Sequence, residues 1–349
     1  MIRFAHTYSS LTLPTIDLPL LTIGLTLLTG VFAACSSDQP STAGDASGAT
    51  ADAKLEAGIS DAEDALATVD ANRRSPETAE TSWQLPPPTF LGGKRPAQLY
   101  LPSTYDGSQA LPVVLALPGY DNSSAELDEW LKLTQRVDGG GFALILAQGL
   151  TDTDGSPYWN ATDTCCDYDG TGVDDVGYLV ALLDELASKV HTDPKKVTVF
   201  GHSAGGFMAY RLACERAERV AAVVSLAGSG YVDAAACVPK LAVSVLQVHG
   251  LLDDVMPYAG DSEAPGALEM LERWAGYAGC ALNSLQAAPI TLAVVKGTDA
   301  DQATVLHYAQ GCQAGMAPEL WRLPSAGHYP KFKPAFTDLA LSWALQRSR

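Results

Sequence analysis

The sequence predicts an α/β fold built on a mostly parallel central sheet with helices on both faces, and three observations carry that prediction. From about Leu91 onward, short apolar runs alternate with longer amphipathic stretches, the pattern of successive β-α units. With 47% hydrophobic and 18% charged residues in 349, the chain falls in the globular class and can bury a sizeable core. The apolar run Val197–Phe200 passes straight through Gly201-His202-Ser203-Ala204-Gly205 into an amphipathic helix, a strand-turn-helix unit with a serine at its apex.

The first quarter of the chain differs from the rest. Leu18 to Phe32 is an apolar run of the length of a signal-peptide core rather than of a membrane span. It ends in Phe32-Ala33-Ala34-Cys35-Ser36-Ser37, small residues before a cysteine that resemble a bacterial lipobox. Residues 1–35 therefore read as an export signal with Cys35 as the lipidation site, which places the protein outside the cell or on a membrane surface through a lipid anchor. Residues 36–85 are rich in Ser, Ala, Thr, Gly and Asp with few aromatics, and cannot bury enough surface to offset their ordering entropy. They read as a linker with a root-mean-square reach of roughly 40 Å.

Residues 86–349 read as one catalytic domain. Its expected strands are Gln98–Leu101, Val113–Leu117, Ala143–Ala147, Val197–Phe200, Ala221–Ala227, Val243–Val248 and Leu320–Leu323. Between them the helical pattern covers Ala125–Val137, Val173–Lys189, Gly206–Ala217, Ala267–Ala278 and Ala335–Arg347.

Charge and cysteines narrow the function classes. The 22 Lys and Arg against 40 Asp and Glu give a net charge of −18, which argues against nucleic acid as a partner. Cysteine-histidine spacing suits no zinc site, and no cofactor is called for; the chain is expected to be a monomer. Seven cysteines minus Cys35 leave Cys165, Cys166, Cys214, Cys237, Cys280 and Cys312, an even set that in an exported protein argues for disulfides. Cys280 with Cys312 is the preferred pair, and the connectivity of the other four stays open.

The serine turn carries the chemistry. Gly201 and Gly205 suit a tight turn in which strand and helix backbones pass close to a strained serine, and the following helix N-terminus places the Ala204 amide beside the serine oxygen. A serine nucleophile needs a histidine base and a carboxylate to orient it, in the chain order Ser, acid, His. Of six histidines, His328 lies after the last strand and before the last helix, where that base belongs; His307 is the weaker candidate. The acid should follow the strand Val243–Val248, where Asp253 and Asp254 both qualify and spacing from His249-Gly250 favours Asp253. A second oxyanion donor is needed from an early loop, and Pro118-Gly119-Tyr120 supplies the Tyr120 amide, its ring forming a wall of the acyl pocket. Trp159 and Asn160, after a polar loop, suit stacking on a substrate acyl group. His202 and His249 read as structural groups beside the site, His202 counting with Tyr120, Trp159 and Asn160 as a cleft residue.

Leu111–Tyr120, the stretch from Tyr158-Trp159-Asn160-Ala161 through Cys165-Cys166 to Val176, GHSAGGFMAYRLAC from Gly201, HGLLDDVMPY from His249 and the terminal AGHYP together resemble the polyhydroxybutyrate depolymerase and feruloyl esterase family, serine esterases related to carbohydrate esterase family 1. The resemblance implies an α/β-hydrolase fold, a Ser203–Asp253–His328 triad and hydrolysis of carboxylic esters such as polyhydroxyalkanoate polyesters or the feruloyl and acetyl esters of plant polysaccharide. It also supports disulfides near Cys280 and Cys312. Pro118 stands where that family has His, which resembles the Pro-Gly-Tyr oxyanion loop of cutinase-like polyester hydrolases. An acyltransferase with the same triad and a non-catalytic binding protein on this fold are the alternative readings.

Overall fold

The structure, a computed structural model, describes residues 89–297 and 302–349. The expected signal segment, Cys35 and the linker lie outside the described residues.

Ten strands form one sheet. Its centre is six parallel strands in the order β4 (Ala143–Leu146), β3 (Leu111–Leu117), β7 (Thr192–His202), β8 (Ala222–Leu226), β9 (Ser244–Gly250) and β12 (Glu319–Leu323). Antiparallel strands close each side: β1 (Thr89–Leu91) and β2 (Ala97–Tyr100) beyond β4, and β11 (Ala303–Tyr308) and β10 (Leu285–Leu292) beyond β12. A two-stranded ribbon, β5 (Leu150–Thr151) with β6 (Pro157–Tyr158), stands apart from the sheet. The expected α/β class and all seven expected strands are present, with bounds displaced by a few residues. The sequence pattern missed β10, because an edge strand that is mostly exposed and interrupted by Pro289 carries little apolar signal.

Helices cover both faces because successive residues of each parallel strand point to opposite sides. Val113, Leu115 and Leu117 of β3 pack in one layer with Leu179 and Leu182 of α3 (Asp175–Lys189), Phe207 of α4 (Ala204–Glu215) and Trp274 of α5 (Ala267–Tyr277). Val114 and Ala116 pack in the other with Leu127 and Leu131 of α1 (Ser124–Leu131) and with Phe336 and Leu341 of α6 (Pro334–Leu345). The helix expected over Ala125–Val137 is broken. Lys132 takes a left-handed conformation at φ 55°, the Asp128 carboxylate accepts both the amide and the hydroxyl of Thr134, and a 3-10 turn then leads into the short α2 (Val137–Gly140).

The chain order in the sheet decides where a site can form. From β3 the chain adds β4 on one side and later returns to place β7 on the other, a reversal of strand order of the kind at which α/β sheets place their sites, at the C-terminal ends of β3 and β7. The loops after β9 and β12, which are adjacent and parallel, open on the same end of the sheet.

The cysteines pair as Cys165–Cys166, Cys214–Cys237 and Cys280–Cys312. The last tethers the end of α5 to the connection between β11 and β12 across 32 residues. Replacing both Cys280 and Cys312 by Ser should lower unfolding stability by about 3–4 kcal/mol on the loop-entropy argument, read as a fall in the urea midpoint.

Candidate active site

β7 runs parallel to β3 with Leu117 opposite Gly201, which presses the serine turn against the end of β3. A Cβ on Gly201 would meet Gly205 O at 2.1 Å, and one on Gly205 would meet Leu117 O at 2.1 Å. Neither position has room for a side chain, and the squeeze holds Ser203 at φ 50° and ψ −121°, a conformation that non-glycine residues rarely adopt. Ser203 N donates to Leu226 O at 2.8 Å, and Ser203 O accepts the Gly206 and Phe207 amides. Although Ser203 stands at the N-cap of α4, its hydroxyl makes no capping hydrogen bond and stays available. Among the described residues neither the Ala204 amide nor the Tyr120 amide donates to a protein acceptor.

Asp253 and His328 meet behind this turn. His328 Nδ1 lies 2.9 Å from Asp253 Oδ2 and 3.1 Å from Oδ1; a carboxylate can only accept, so the ring donates from Nδ1 and leaves Nε2 as an acceptor. Asp253 Oδ1 also takes the amides of Val255 and Met256 at 3.0 and 2.8 Å. Burial alone would raise the Asp253 pKa, but donors from His249, His328 and the Met256 amide outweigh it and hold the carboxyl well below its ordinary range. Ser203 and His328 make no hydrogen bond with each other here; in unliganded enzymes that contact is often long and tightens with substrate. Asp254, the rival acid, is exposed, and His307 sits on β11, next to the edge strand β10, against Gln286 and remote in the sheet from β7.

Two packing devices fix the loops around the serine. The first holds the loop after β3: Trp159 Nε1 donates to Pro118 O at 2.9 Å, Asp121 N donates to Pro157 O at 2.9 Å, and the Tyr120 hydroxyl donates to Asp152 Oδ2 at 2.6 Å. That last bond, reinforced by burial, pushes the Tyr120 pKa up to about 12. The second holds the histidine loop. His202 Nε2 donates to His328 O at 3.1 Å, and its ring packs edge-on to Trp130 with centroids 4.9 Å apart and against Tyr329 at 4.6 Å. Trp130 Nε1 in turn donates to Pro330 O at 3.0 Å. Burial, then the neighbouring His328, pushes the His202 pKa down to about 3, so the ring is neutral.

Three expectations for the cleft need correction. Trp159 is 0% exposed, sandwiched in the core with the Arg95 guanidinium 5.0 Å from its ring centre, and cannot stack on a substrate. Asn160 is bound into the same scaffold: its side-chain amide donates to Val173 O and its backbone amide donates to the buried Asp175, which Arg95 pairs. His202, 1% exposed, is covered by Trp130 and Tyr329 and does not face the cleft. Tyr120 remains half-exposed, edge-on to the exposed Tyr168 at 5.5 Å. The sequence reading missed Trp130 and Asp152. The first sits at helical spacing from Leu127 and Leu131 and reads as core; the second lies in a polar loop like many others. Among the described residues no cluster of His, Cys, Asp or Glu has metal-binding geometry, and no helix is long and apolar enough to cross a membrane.

Residues 89–314 match a protein family described as "Putative esterase". The chain belongs to this esterase family. Among curated relatives, "Putative esterase NocK" of Nocardia uniformis subsp. tsuyamanensis is 32% identical over 154 residues, 44% of this chain and 43% of the relative. "Feruloyl esterase B" of Piromyces equi is 25% identical over 200 residues, 54% of this chain and 36% of the relative. The chain thus spans less than half the length of either. An acetyl xylan esterase from Aspergillus awamori superposes over 71% of this chain and 93% of its own with a TM-score of 0.51 at 15% identity, a likeness of fold. The esterase domain therefore has the α/β-hydrolase fold, and the matched segment holds Ser203, Asp253 and Tyr120 while His328 lies beyond its end.

The buried neutral His202 should make the fold acid-sensitive. Its folded pKa lies below the ordinary value of 6.5, so as pH falls from about 6.5 toward about 3 the unfolded chain takes up a proton that the folded chain refuses, and stability is lost. The low pKa of Asp253 acts in the same sense. The urea midpoint should fall steadily over that window, and His202→Asn, which keeps a donor without a titrating ring, should flatten the fall. Trp159→Phe should cost about 1–3 kcal/mol by leaving Pro118 O unpaired, measured by the same unfolding.

Proposed function

We propose that this chain is a serine carboxylic ester hydrolase that works through an acyl-enzyme on Ser203. The observation that carries the reading is the strained, uncapped Ser203 at the start of α4, with the Ala204 and Tyr120 amides unengaged and His328 oriented by Asp253 so that Nε2 is left to accept a proton. Ser203 attacks the ester carbonyl as His328 Nε2 takes its proton; the Ala204 and Tyr120 amides and the N-terminal end of α4 stabilise the oxyanion; His328 then protonates the leaving alcohol. Asp253 stays ionised and stabilises the imidazolium. Water activated by the same histidine releases the acid.

Relatives named as feruloyl esterases and as an acetylxylan esterase/xylanase support a feruloyl or acetyl ester of plant polysaccharide as substrate. The exposed Tyr168, Leu252, Val255 and Tyr329, on loops at the site's end of the sheet, suit an apolar acyl chain and keep a polyhydroxyalkanoate polyester in the same substrate class. Residues 86–349 act as the catalytic domain in this reading, and residues 1–85 export it and tether it through a lipid on Cys35. Three disulfides favour an oxidising compartment.

Ser203→Ala should lower kcat by about 10⁶-fold, the loss typical of a removed nucleophile, on a panel of p-nitrophenyl acetate, methyl ferulate and polyhydroxybutyrate granules. A fluorophosphonate probe should label wild-type protein at Ser203 alone. Failure of the folded protein to cleave any of the three esters, or to take the probe, would overturn the reading.

A further inference from the structure

Behind Asp253 lies a chain of buried side chains that the proton transfers do not use. Tyr210 of α4 and Gln247 and His249 of β9 are all buried. Gln247 Nε2 donates to Gly228 O at 2.8 Å, and because a carbonyl can only accept, this bond fixes which end of the amide carries hydrogen. Its oxygen accepts the Tyr210 hydroxyl at 2.8 Å, and its other N–H donates to His249 Nδ1 at 3.1 Å. A ring nitrogen that accepts carries no proton, so the proton of neutral His249 sits on Nε2. Nε2–H donates to Met256 O at 2.8 Å, with Asp253 Oδ2 3.4 Å away as a second, longer-range acceptor. The direction of each bond follows from the one before it.

We infer that Gln247 and His249 are positioning residues for Asp253: Gln247 locks His249 as the Nε2–H tautomer, and His249 completes the set of donors that fixes the rotation of the carboxylate. The inference rests on the Ser203–Asp253–His328 reading. A carboxylate offers about four lone-pair positions. Here Oδ1 takes the Val255 and Met256 amides, Oδ2 takes His328 Nδ1–H, and the remaining side of Oδ2 faces His249 Nε2–H at 3.4 Å. With three positions filled and the fourth facing the positive end of the His249 N–H, the carboxylate is held toward His328. Without the His249 donor it can rotate, and His328 is then free to adopt the tautomer with hydrogen on Nε2, which cannot accept the serine proton. His249 also grips the Met256 carbonyl, so the same ring holds both the acid and the turn that carries it.

The test compares His249→Leu, His249→Gln and Gln247→Glu with wild type on p-nitrophenyl acetate. Active sites are counted by fluorophosphonate titration, so that kcat refers to folded enzyme. A fully wrong tautomer at such a triad costs ~10⁴ in kcat, so His249→Leu, a partial loss, should lower kcat by about 10–100-fold with KM nearly unchanged. His249→Gln keeps an amide N–H within reach of Asp253 and should recover most of that loss. Gln247→Glu replaces the donor facing Nδ1 by an acceptor, draws the proton to Nδ1, and should lower kcat as far as His249→Leu; it also serves if the leucine variant fails to fold. Equal losses in the leucine and glutamine variants, or wild-type kcat in His249→Leu or Gln247→Glu, would overturn the inference. Hydrolysis surviving in Ser203→Ala would overturn the triad reading itself, whereas an inert Ser203→Ala beside an unaffected His249→Leu would overturn the positioning role alone.

Discussion

The close approach of two backbones at the ends of β3 and β7 is the constraint on which the rest of the site depends. Leu117 pairs with Gly201, Gly205 lies against Leu117 O, and the turn between them has no slack. A chain squeezed in this way must lift the intervening residue into a left-handed conformation, and Ser203 is held there at φ 50°. The strain is offset by what surrounds it, the parallel ladder of β3, β7 and β8 on one side and a full helix on the other. The result is a serine at the head of α4 whose hydroxyl is not spent on capping the helix.

Everything else around the serine aims loops at that point. Three loops, those leaving the C-terminal ends of β3, β9 and β12, are pinned by buried or half-buried rings, the last of them twice. Trp159 takes the Pro118 carbonyl, Trp130 the Pro330 carbonyl, His202 the His328 carbonyl and His249 the Met256 carbonyl. These are aromatic N–H donors given to backbone carbonyls in buried or half-buried places, where an unpaired carbonyl is costly. Large flat rings fill the space between loops while their one polar atom fixes a peptide plane. The strongly acidic composition plays no part in this, since the site is governed by neutral rings and one ionised carboxylate.

The legible and illegible parts of the site divide by range. The elbow could be read because strand, turn and helix are contiguous and their steric demands fall within about fifteen residues. His328 and Asp253 could be read from their order and their place after strands. Trp159 and Asn160 were misplaced because a polar loop before an aromatic residue looks the same whether that residue faces solvent or core. What buries Trp159 is the Arg95–Asp175 pair and the Pro118 carbonyl, brought in from about 15 to 65 residues away. The break in the helix expected over Ala125–Val137 was missed for a smaller reason: Asp128 and Thr134 are ordinary surface residues until the carboxylate turns inward to take both Thr134 donors.

By itself the sequence determined the α/β class, the parallel strands, the strained serine and the order of the polar residues that follow it, because periodicity and backbone sterics act over a few neighbouring positions. Tertiary structure alone decided which aromatic rings stay exposed and which hold loops, which tautomer His249 adopts, and how the donors around Asp253 share its oxygens. Those outcomes depend on contacts such as His328 with Asp253 across 75 residues and His202 with His328 across 126, and no local pattern encodes a partner so distant.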